Sequence, residues 1–163
     1  MRVRTALVAA VVVVFIGSAA SAATTAAEPA GTKCTVEVNL TASPGLSQEA
    51  GSGTYHTGGE TGKMQCADGR SGTYGNDGRY GTGKPSTCSS GGDGWGVASF
   101  TLNGANVRDT YTIVFPGMNK GTLQGTFDGE RYSGTWTFTP TEGDCVTKPM
   151  TKGTLKVDGT LKG

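Results

Sequence analysis

Few side chains in this sequence suit acid–base or metal chemistry. The only histidine is His56, so a Ser-His-Asp triad would have to use it, and a metal site with several imidazoles is excluded. No G-x-S-x-G motif is present, and His56 lies in a polar, glycine-rich stretch. We therefore expect His56 to be a solvated loop residue, and we predict no catalytic residue, no metal and no cofactor.

Two pairs of carboxylates lie beside predicted turns, Asp128 with Glu130 and Glu142 with Asp144. Paired carboxylates hydrolyse glycosides when a cleft holds them about 5 to 10 Å apart. Carboxylates in turns more often stabilise the turn itself and keep the surface soluble. A glycan-active enzyme is therefore the third of our functional hypotheses, and we predict that the chain is not an enzyme.

Trp95 is the candidate ligand-binding residue. It begins an alternating segment on whose inner face we place Phe100, so Trp95 falls on the outer face beside a glycine-rich loop. An exposed tryptophan on a β-surface can hold the apolar face of a sugar ring, which makes a glycan one candidate partner. The competing interpretation is a ring that lies over the cysteine-rich end of the fold.

A second surface candidate is the loop 145–151, which contains Lys148 and Met150. A disulfide at Cys145 would hold this loop in an extended form. Secreted protease inhibitors present such a loop, and its rigidity lowers the entropy that is lost when the protease binds. Lys148 or Met150 would then fill a protease specificity pocket. The alternative is a structural connection between two strands.

The N-terminus predicts export. Two arginines precede an apolar run at 6–16, and small residues follow it, which is the organisation of a secretory signal peptide at 1–22. The apolar run is shorter than the ~20 residues that cross a bilayer. We expect cleavage near Ala22, a disordered tail at 23–32 and a single domain at 33–163.

Cysteine content and charge agree with a secreted chain. Four cysteines predict two disulfides and no free thiol, and the absence of a C-x-x-C pair argues against the rival zinc site. Removing Arg2 and Arg4 from the 14 basic residues leaves 12, against 13 acidic residues, with no run of either sign. This balance argues against nucleic acid or a membrane as partner, and leaves a glycan or an extracellular protein. We expect a monomer.

The elements that must position these residues are β-strands. Between residues 121 and 138 two alternating segments flank the turn Asp128-Gly129, with Phe127 and Trp136 on the predicted inner faces. A unit of Gly, Thr and a large apolar residue occurs seven times in the chain. Its glycine and its large residue face inward, and its threonine faces outward. Small β-barrels fill their interiors with this alternation of small and large side chains.

The same alternation recurs along the chain, and no segment has helical periodicity. We predict an all-β fold, an antiparallel up-and-down meander of eight or nine strands closed into a barrel, with a β-sandwich as the alternative. Asn76-Asp77-Gly78 is predicted to be a hairpin turn, and Asn103-Gly104 part of a longer loop. The predicted strands are 34–40, 61–66, 71–75, 79–83, 95–102, 109–115, 121–127, 131–138 and 151–161, with a possible short strand at 53–56.

This order of strands places all four cysteines at one end of the barrel. Cys66–Cys88 would close the base of the central hairpin, and Cys34–Cys145 would tie the first strand to the last. We predict this pairing. The competing choice is Cys34–Cys66 with Cys88–Cys145, because the first two strands can also pair directly.

The segment from Gly134 to Thr151 resembles a G-T-x-T-F-x-P-x-x-G-D-C-V-T-x-P-x-T segment in small secreted β-proteins of actinomycete bacteria. Those proteins also have one cysteine at the start of the first strand and one at the end of the second, the positions of Cys34 and Cys66 here. The resemblance implies a secreted all-β fold and no particular activity.

The residues and the composition favour a secreted, disulfide-stabilised β-domain that acts as a non-catalytic binding or surface-interaction module. The alternative is a secreted protease inhibitor that presents the loop 145–151. Neither the composition nor the spacing of residues specifies a ligand.

Overall fold

The structure of the chain, a computed structural model, describes residues 31–59, 61–102, 104–117 and 119–163. The predicted signal peptide and most of the predicted tail lie outside these ranges; Thr32, assigned to the tail, instead begins the first strand. The described residues form an all-β protein. Its nine strands are β1 (Thr32–Leu46), β2 (Gly53–His56), β3 (Gly62–Cys66), β4 (Ser71–Tyr80), β5 (Gly92–Leu102), β6 (Ala105–Gly117), β7 (Lys120–Phe127), β8 (Glu130–Glu142) and β9 (Met150–Lys162).

The strands form a closed antiparallel barrel. Each of β4 to β8 pairs with the next strand in the chain, and β9 pairs with β1 from Leu161 opposite Thr32 to Lys152 opposite Thr41. The short strands β2 and β3 follow one another in the space between β1 and β4, and each pairs with both neighbours. The barrel therefore has eight strand positions, and the second is shared by two strands. The predicted barrel is confirmed, and the sandwich alternative is wrong because the β1–β9 pairing leaves no open edge there.

β4 is one continuous strand, so the hairpin predicted at Asn76-Asp77-Gly78 is wrong. Its pairing with β5 runs without interruption from Gly72 opposite Leu102 to Tyr80 opposite Gly94. The physical reason is burial. Asn76 lies on the same face of β4 as Tyr74 and Tyr80, and all three side chains point into the barrel. Inward positions at every second residue require an extended backbone through the apparent turn sequence.

The connections on either side of β6 and β7 are short. β5 and β6 pair up to Leu102 opposite Ala105, so the longer loop predicted after Leu102 is wrong and the connection has two residues. The predicted Asp128-Gly129 turn is confirmed, with φ values of 50° and 79°. Two successive positive φ values fit a type I′ turn, whose twist matches that of the flanking strands.

The disulfides join Cys34 to Cys66 and Cys88 to Cys145, so the predicted pairing of Cys66 with Cys88 and Cys34 with Cys145 is wrong. The wrong pairing follows from the hairpin that was predicted within β4. One strand in place of a hairpin removes one reversal of chain direction, so Cys88 and Cys145 move to the opposite end of the barrel from Cys34 and Cys66. We call the end with Cys34 and Cys66 the lower end, and the end with Cys88 and Cys145 the upper end.

Aromatic rings inside the barrel lie over glycines of neighbouring strands. A Cβ atom added to any of six glycines would come within 2.3 to 2.8 Å of a ring atom or its hydroxyl oxygen, closer than packed atoms allow. Because the glycines lack this atom, the rings can pack directly against the opposite backbone. The pairs are Tyr55 over Gly78, Tyr80 over Gly53, Tyr111 over Gly96, Tyr132 over Gly159, Trp136 over Gly121 and Phe138 over Gly153.

The lower end of the barrel is nearly filled, with a residual space of about 20 Å³. Phe127 is 1% exposed, as predicted for this inner face, and its ring meets that of Phe100 edge to face with centroids 4.4 Å apart. The Arg70 guanidinium lies 5.9 Å from the centre of the Phe127 ring and pairs with Asp68 at 2.8 Å and Glu130 at 2.5 Å. The apolar lower interior is thus covered by a paired cation.

We predict that Gly78→Ala lowers the free energy of unfolding by ~1–3 kcal/mol, because its Cβ would overlap the Tyr55 ring. Gly51→Ala is the matched control, since a Cβ at Gly51 meets nothing within 4 Å. Denaturant unfolding of the two variants measures the difference. Equal unfolding free energies for Gly78→Ala and wild type would show that packing of the Tyr55 ring does not require a glycine at position 78.

Candidate functional site

The upper half of the barrel is hollow. Trp136, Ile113 and Phe138 point inward and still remain partly exposed, although Phe127 and Leu161 in the lower half are each only 1% exposed. The space between the upper side chains is a cavity of about 110 Å³. Its lining consists of Leu40, Ala42, Leu46, Tyr55, Asn76, Tyr80, Tyr111, Ile113, Phe115, Asn119, Leu123, Trp136, Phe138, Met150 and Leu155.

A buried polar cluster, Tyr55, Tyr74, Asn76 and Tyr111, lies at the lower limit of this cavity. The Tyr111 hydroxyl donates to Oδ1 of Asn76 at 2.5 Å and contacts the Tyr55 hydroxyl at 2.9 Å. Nδ2 of Asn76 donates to the Tyr74 hydroxyl at 2.9 Å. Hydrogen bonds of this kind satisfy polar groups that burial would otherwise destabilise. The cluster therefore fixes the rings that separate the hollow upper half from the filled lower half.

Burial raises the pKa of each tyrosine in the cluster. The pKa values of Tyr55 and Tyr74 lie well above the ordinary value, mainly because a phenolate would lose its hydration inside the barrel. The pKa of Tyr111 is raised for the same reason, and neighbouring tyrosines add to the effect. These hydroxyls are therefore neutral at physiological pH, and they act as hydrogen-bonding groups.

Asn119 lines the cavity and has an unsatisfied polar atom in its side chain. Its Oδ1 is buried and has no hydrogen-bond partner among the residues that the structure describes. The backbone of Asn119 has a φ of 65°, and its carbonyl oxygen accepts a hydrogen bond from the amide of Phe138 at 2.7 Å. An unpaired buried amide oxygen destabilises the folded state by about 1–3 kcal/mol.

The connections at the upper end are tied to one another. Cys88 is bridged to Cys145, and its amide donates to the Ser47 carbonyl at 2.9 Å. Nearer the barrel wall, the Tyr80 hydroxyl donates to the Pro44 carbonyl. These links hold three separate connections together around the cavity, so its shape depends on more than the strands alone.

Trp95 lies on the outer wall of the barrel, as predicted, and is 45% exposed. Its strand neighbours at the same level are Arg79 and Thr112. Its backbone carbonyl accepts a hydrogen bond from the Tyr55 hydroxyl at 3.4 Å. His56 is the last residue of β2, opposite Thr41 and Asp77. The possible strand at 53–56 is therefore confirmed, and the expectation that His56 is a loop residue is wrong.

Three of the four carboxylates considered for glycoside hydrolysis make structural contacts, namely Glu130, Glu142 and Asp144. Glu130 pairs with Arg70 at the lower end, beside the turn that contains Asp128. Glu142 pairs with Lys152 at 2.8 Å near the upper end, and this contact lowers the pKa of Glu142. The two pairs thus lie at opposite ends of the barrel.

The loop 145–151 has a closed form. The Asp144 carboxylate accepts hydrogen bonds from the amides of Val146, Thr147 and Lys148 at 2.7 to 3.2 Å, and these contacts lower its pKa to about 2. Met150 is 3% exposed and lines the cavity, so its predicted role as a residue that enters a protease pocket does not fit this conformation. The backbone here is a turn, whereas inhibitor loops are extended.

Two of the residues that matter here were missed by sequence reasoning. Gly72, Tyr74 and Asn76 are each two residues apart, as inward-facing residues of one strand are. This spacing could have predicted that Asn76 faces the interior. The turn residues around Asn76 obscured it. Asn119 lies next to a strand end, and no periodicity in the sequence marks its side chain.

Comparisons of this chain with protein-family models, with curated proteins and with solved structures found no match. Among the described residues, no three His, Cys, Asp or Glu side chains come together as a possible metal site. Within the same ranges, no helix has the length and apolar character that crossing a membrane requires. The geometry of the cavity is therefore the basis for a functional hypothesis.

We predict that no tyrosine ionises near pH 10 while the chain is folded. All five tyrosines are buried and have raised pKa values, that of Tyr132 being about 12. Because the folded pKa values exceed the unfolded value of about 10, this contribution to stability is complete below pH ~10 and is lost as the pH rises above it.

Absorbance at 295 nm during alkaline titration measures this ionisation. Native protein should show one late step that coincides with unfolding, and protein in guanidinium chloride should titrate near pH 10. A reversible step near pH 10 in native protein would contradict the burial of these hydroxyls.

Proposed function

We propose that this chain is a secreted, non-catalytic binding protein whose upper cavity holds one small, mostly apolar molecule. The observation that supports the proposal most directly is the contrast between the two halves of the barrel. The aromatic rings of the lower half leave a space of only about 20 Å³. The inward side chains of the upper half leave about 110 Å³, lined almost entirely by apolar groups. Small closed barrels commonly hold one ligand in such a space.

The size of the cavity limits the ligand. An apolar cavity of about 150 Å³ can hold benzene, and the volume here is about 110 Å³. One six-membered ring or a branched aliphatic group of similar size is therefore close to the upper limit. A larger molecule would have to extend out of the cavity past the partly exposed rings of Trp136 and Phe138.

Binding without catalysis fits the chemistry of the lining. Among the described residues that line the cavity there is no carboxylate, imidazole, thiol or amine. The hydroxyls of Tyr55 and Tyr111 have raised pKa values, so they are poor bases at neutral pH. The proposal therefore assigns the cavity no reaction.

The other hypotheses have weaker support. An inhibitor would need an exposed, extended loop, and Asp144 instead closes the loop 145–151 while Met150 is buried. A glycan site at Trp95 would use a single exposed ring, and isolated exposed apolar side chains are common on protein surfaces. The cavity is the more specific feature, and we place the ligand there.

We predict that some single-ring apolar compounds, such as benzene or toluene, raise the melting temperature. At a free concentration of about 100 times Kd, binding adds about 2.7 kcal/mol, which shifts Tm by roughly 10 °C. Ala42→Phe should abolish the shift, because residue 42 lines the cavity. Val114→Phe is the control, since Val114 is 57% exposed on the outside. Absence of any shift for wild type across a broad panel, or an undiminished shift for Ala42→Phe, would refute the proposed function.

The two disulfides are consistent with an extracellular protein. We propose that the chain is exported and that signal peptidase cleaves after Ala22, since residues 1–22 have the organisation of a signal peptide. Intact-mass analysis of the secreted protein should then give a chain that begins at Ala23. A secreted chain that retains Met1 would contradict the proposed cleavage.

A further inference from the structure

We infer that Leu123 sets how deeply a ligand enters the barrel, so that the inner end of the ligand must be short. The inference rests on the proposed function and adds the shape of the ligand, whose inner end is a single apolar ring without a long chain beyond it. It starts from two spaces in the interior, the upper cavity of about 110 Å³ and the lower space of about 20 Å³.

The two spaces share a wall. Tyr111 and Leu123 line both of them, and no other residue that the structure describes does so. Tyr111 belongs to β6 and Leu123 to the adjacent strand β7, where Leu123 lies opposite Ile113. Because these two side chains separate the upper cavity from the lower space, we call Tyr111 and Leu123 the floor of the upper cavity.

Tyr111 is the fixed part of the floor. Its hydroxyl donates to Oδ1 of Asn76 at 2.5 Å and contacts the Tyr55 hydroxyl at 2.9 Å. A Cβ atom added to Gly96 would come within 2.3 Å of the Tyr111 hydroxyl oxygen, so this end of the ring lies directly against the backbone of β5. Displacing Tyr111 would break hydrogen bonds in a buried network, where an unpaired polar group is especially costly.

Leu123 is the part of the floor that packing alone holds. The inward positions next to it are glycines, Gly125 two residues further along β7 and Gly134 opposite Leu123 on β8. Because neither glycine has a side chain, the isobutyl group of Leu123 separates the two spaces on this side of the barrel. Gly125 itself lines the lower space, so a shorter side chain at position 123 would join that space to the upper cavity.

The depth of the cavity decides which ligands bind well. Each methylene group that moves from water into an apolar site lowers Kd by roughly 4-fold. A chain that points toward the lower half meets Leu123 and gains nothing from further methylene groups unless this side chain moves. Closely packed interiors resist such movement, so the floor favours a compact inner end.

The experiment compares toluene with butylbenzene, whose chain is longer by three carbon atoms. Calorimetry gives the Kd of each for wild type, for Leu123→Ala and for the control Leu40→Ala. The two leucines are 6% and 7% exposed, and Leu40 lines the upper cavity alone. Both substitutions remove three carbon atoms, but only Leu123→Ala opens the floor. We expect the preference for butylbenzene over toluene to rise by roughly 10-fold or more in Leu123→Ala.

Intermolecular NOEs locate the added chain. Met64 is buried and lines the lower space, so its methyl group reports on ligand atoms that pass the floor. The terminal methyl group of butylbenzene should give an NOE to Met64 in Leu123→Ala and none in Leu40→Ala. An NOE to Met64 in the control, or its absence in Leu123→Ala, would refute the role of Leu123.

A third measurement uses wild type alone, so it does not depend on a variant being folded. Bound toluene should give NOEs to the methyl groups of Leu123 and none to the methyl group of Met64. Contact between toluene and Met64 would overturn the inference, because the ligand would then lie below the floor.

Failure of the proposed function and failure of this inference give different results. If toluene does not bind wild type, the proposed function fails for single-ring ligands, and the inference fails with it. If toluene binds and the preference for butylbenzene is unchanged in Leu123→Ala, the cavity remains a binding site and Leu123 does not limit its depth.

Discussion

Inside this barrel, an aromatic ring and a glycine on the neighbouring strand share a space that two ordinary side chains could not occupy together. Tyr55 over Gly78 and Tyr111 over Gly96 are examples, and a single added Cβ would overlap the ring or its hydroxyl. A barrel with eight strand positions has a narrow interior, which side chains fill easily. Rings that lie against bare backbone leave room for further rings, and the arrangement of the whole interior depends on where the glycines permit this.

The uneven filling of the barrel follows from this constraint. In the lower half the rings of Tyr74, Phe100 and Phe127 meet one another edge to face and close the interior. In the upper half the rings of Trp136 and Phe138 lie back against the wall, over Gly121 and Gly153, and leave the centre empty. In the upper half, this ring-over-glycine contact keeps the two rings near the wall and beside the cavity. Between the two halves, the hydroxyl groups of Tyr74 and Tyr111 form hydrogen bonds with the side chain of the buried Asn76.

Much of the fold was predictable because it depends on a strict period of two. Alternation predicted the barrel, most of the strands and the Asp128-Gly129 turn, since a half-buried strand cannot shift by one residue without exposing its apolar side. β4 was misread because Asn76-Asp77-Gly78 is a strong turn sequence locally. Burial of Asn76 and packing of the Tyr55 ring on Gly78 overrode that preference, and neither contact is local in sequence.

The candidate site was much less predictable than the fold. The error in β4 reversed the direction of every later strand, so it also displaced Cys88 and Cys145 to the wrong end. The buried Oδ1 of Asn119 has no hydrogen-bond partner among the described residues, and this is a property of three-dimensional packing. Periodicity indicates which face a residue occupies, but it contains no information about whether a polar atom is satisfied or whether a space is empty.

The connectivity of the disulfides has a consequence for the order in which the chain is made. Each bridge joins consecutive cysteines, the first to the second and the third to the fourth, and the two enclosed segments do not overlap. A chain that emerges N-terminus first presents Cys66 while Cys34 is still the only other thiol available. By the time Cys145 appears, oxidation of the first pair has left Cys88 as its only partner. Oxidation in order of synthesis therefore gives the native bridges without reshuffling.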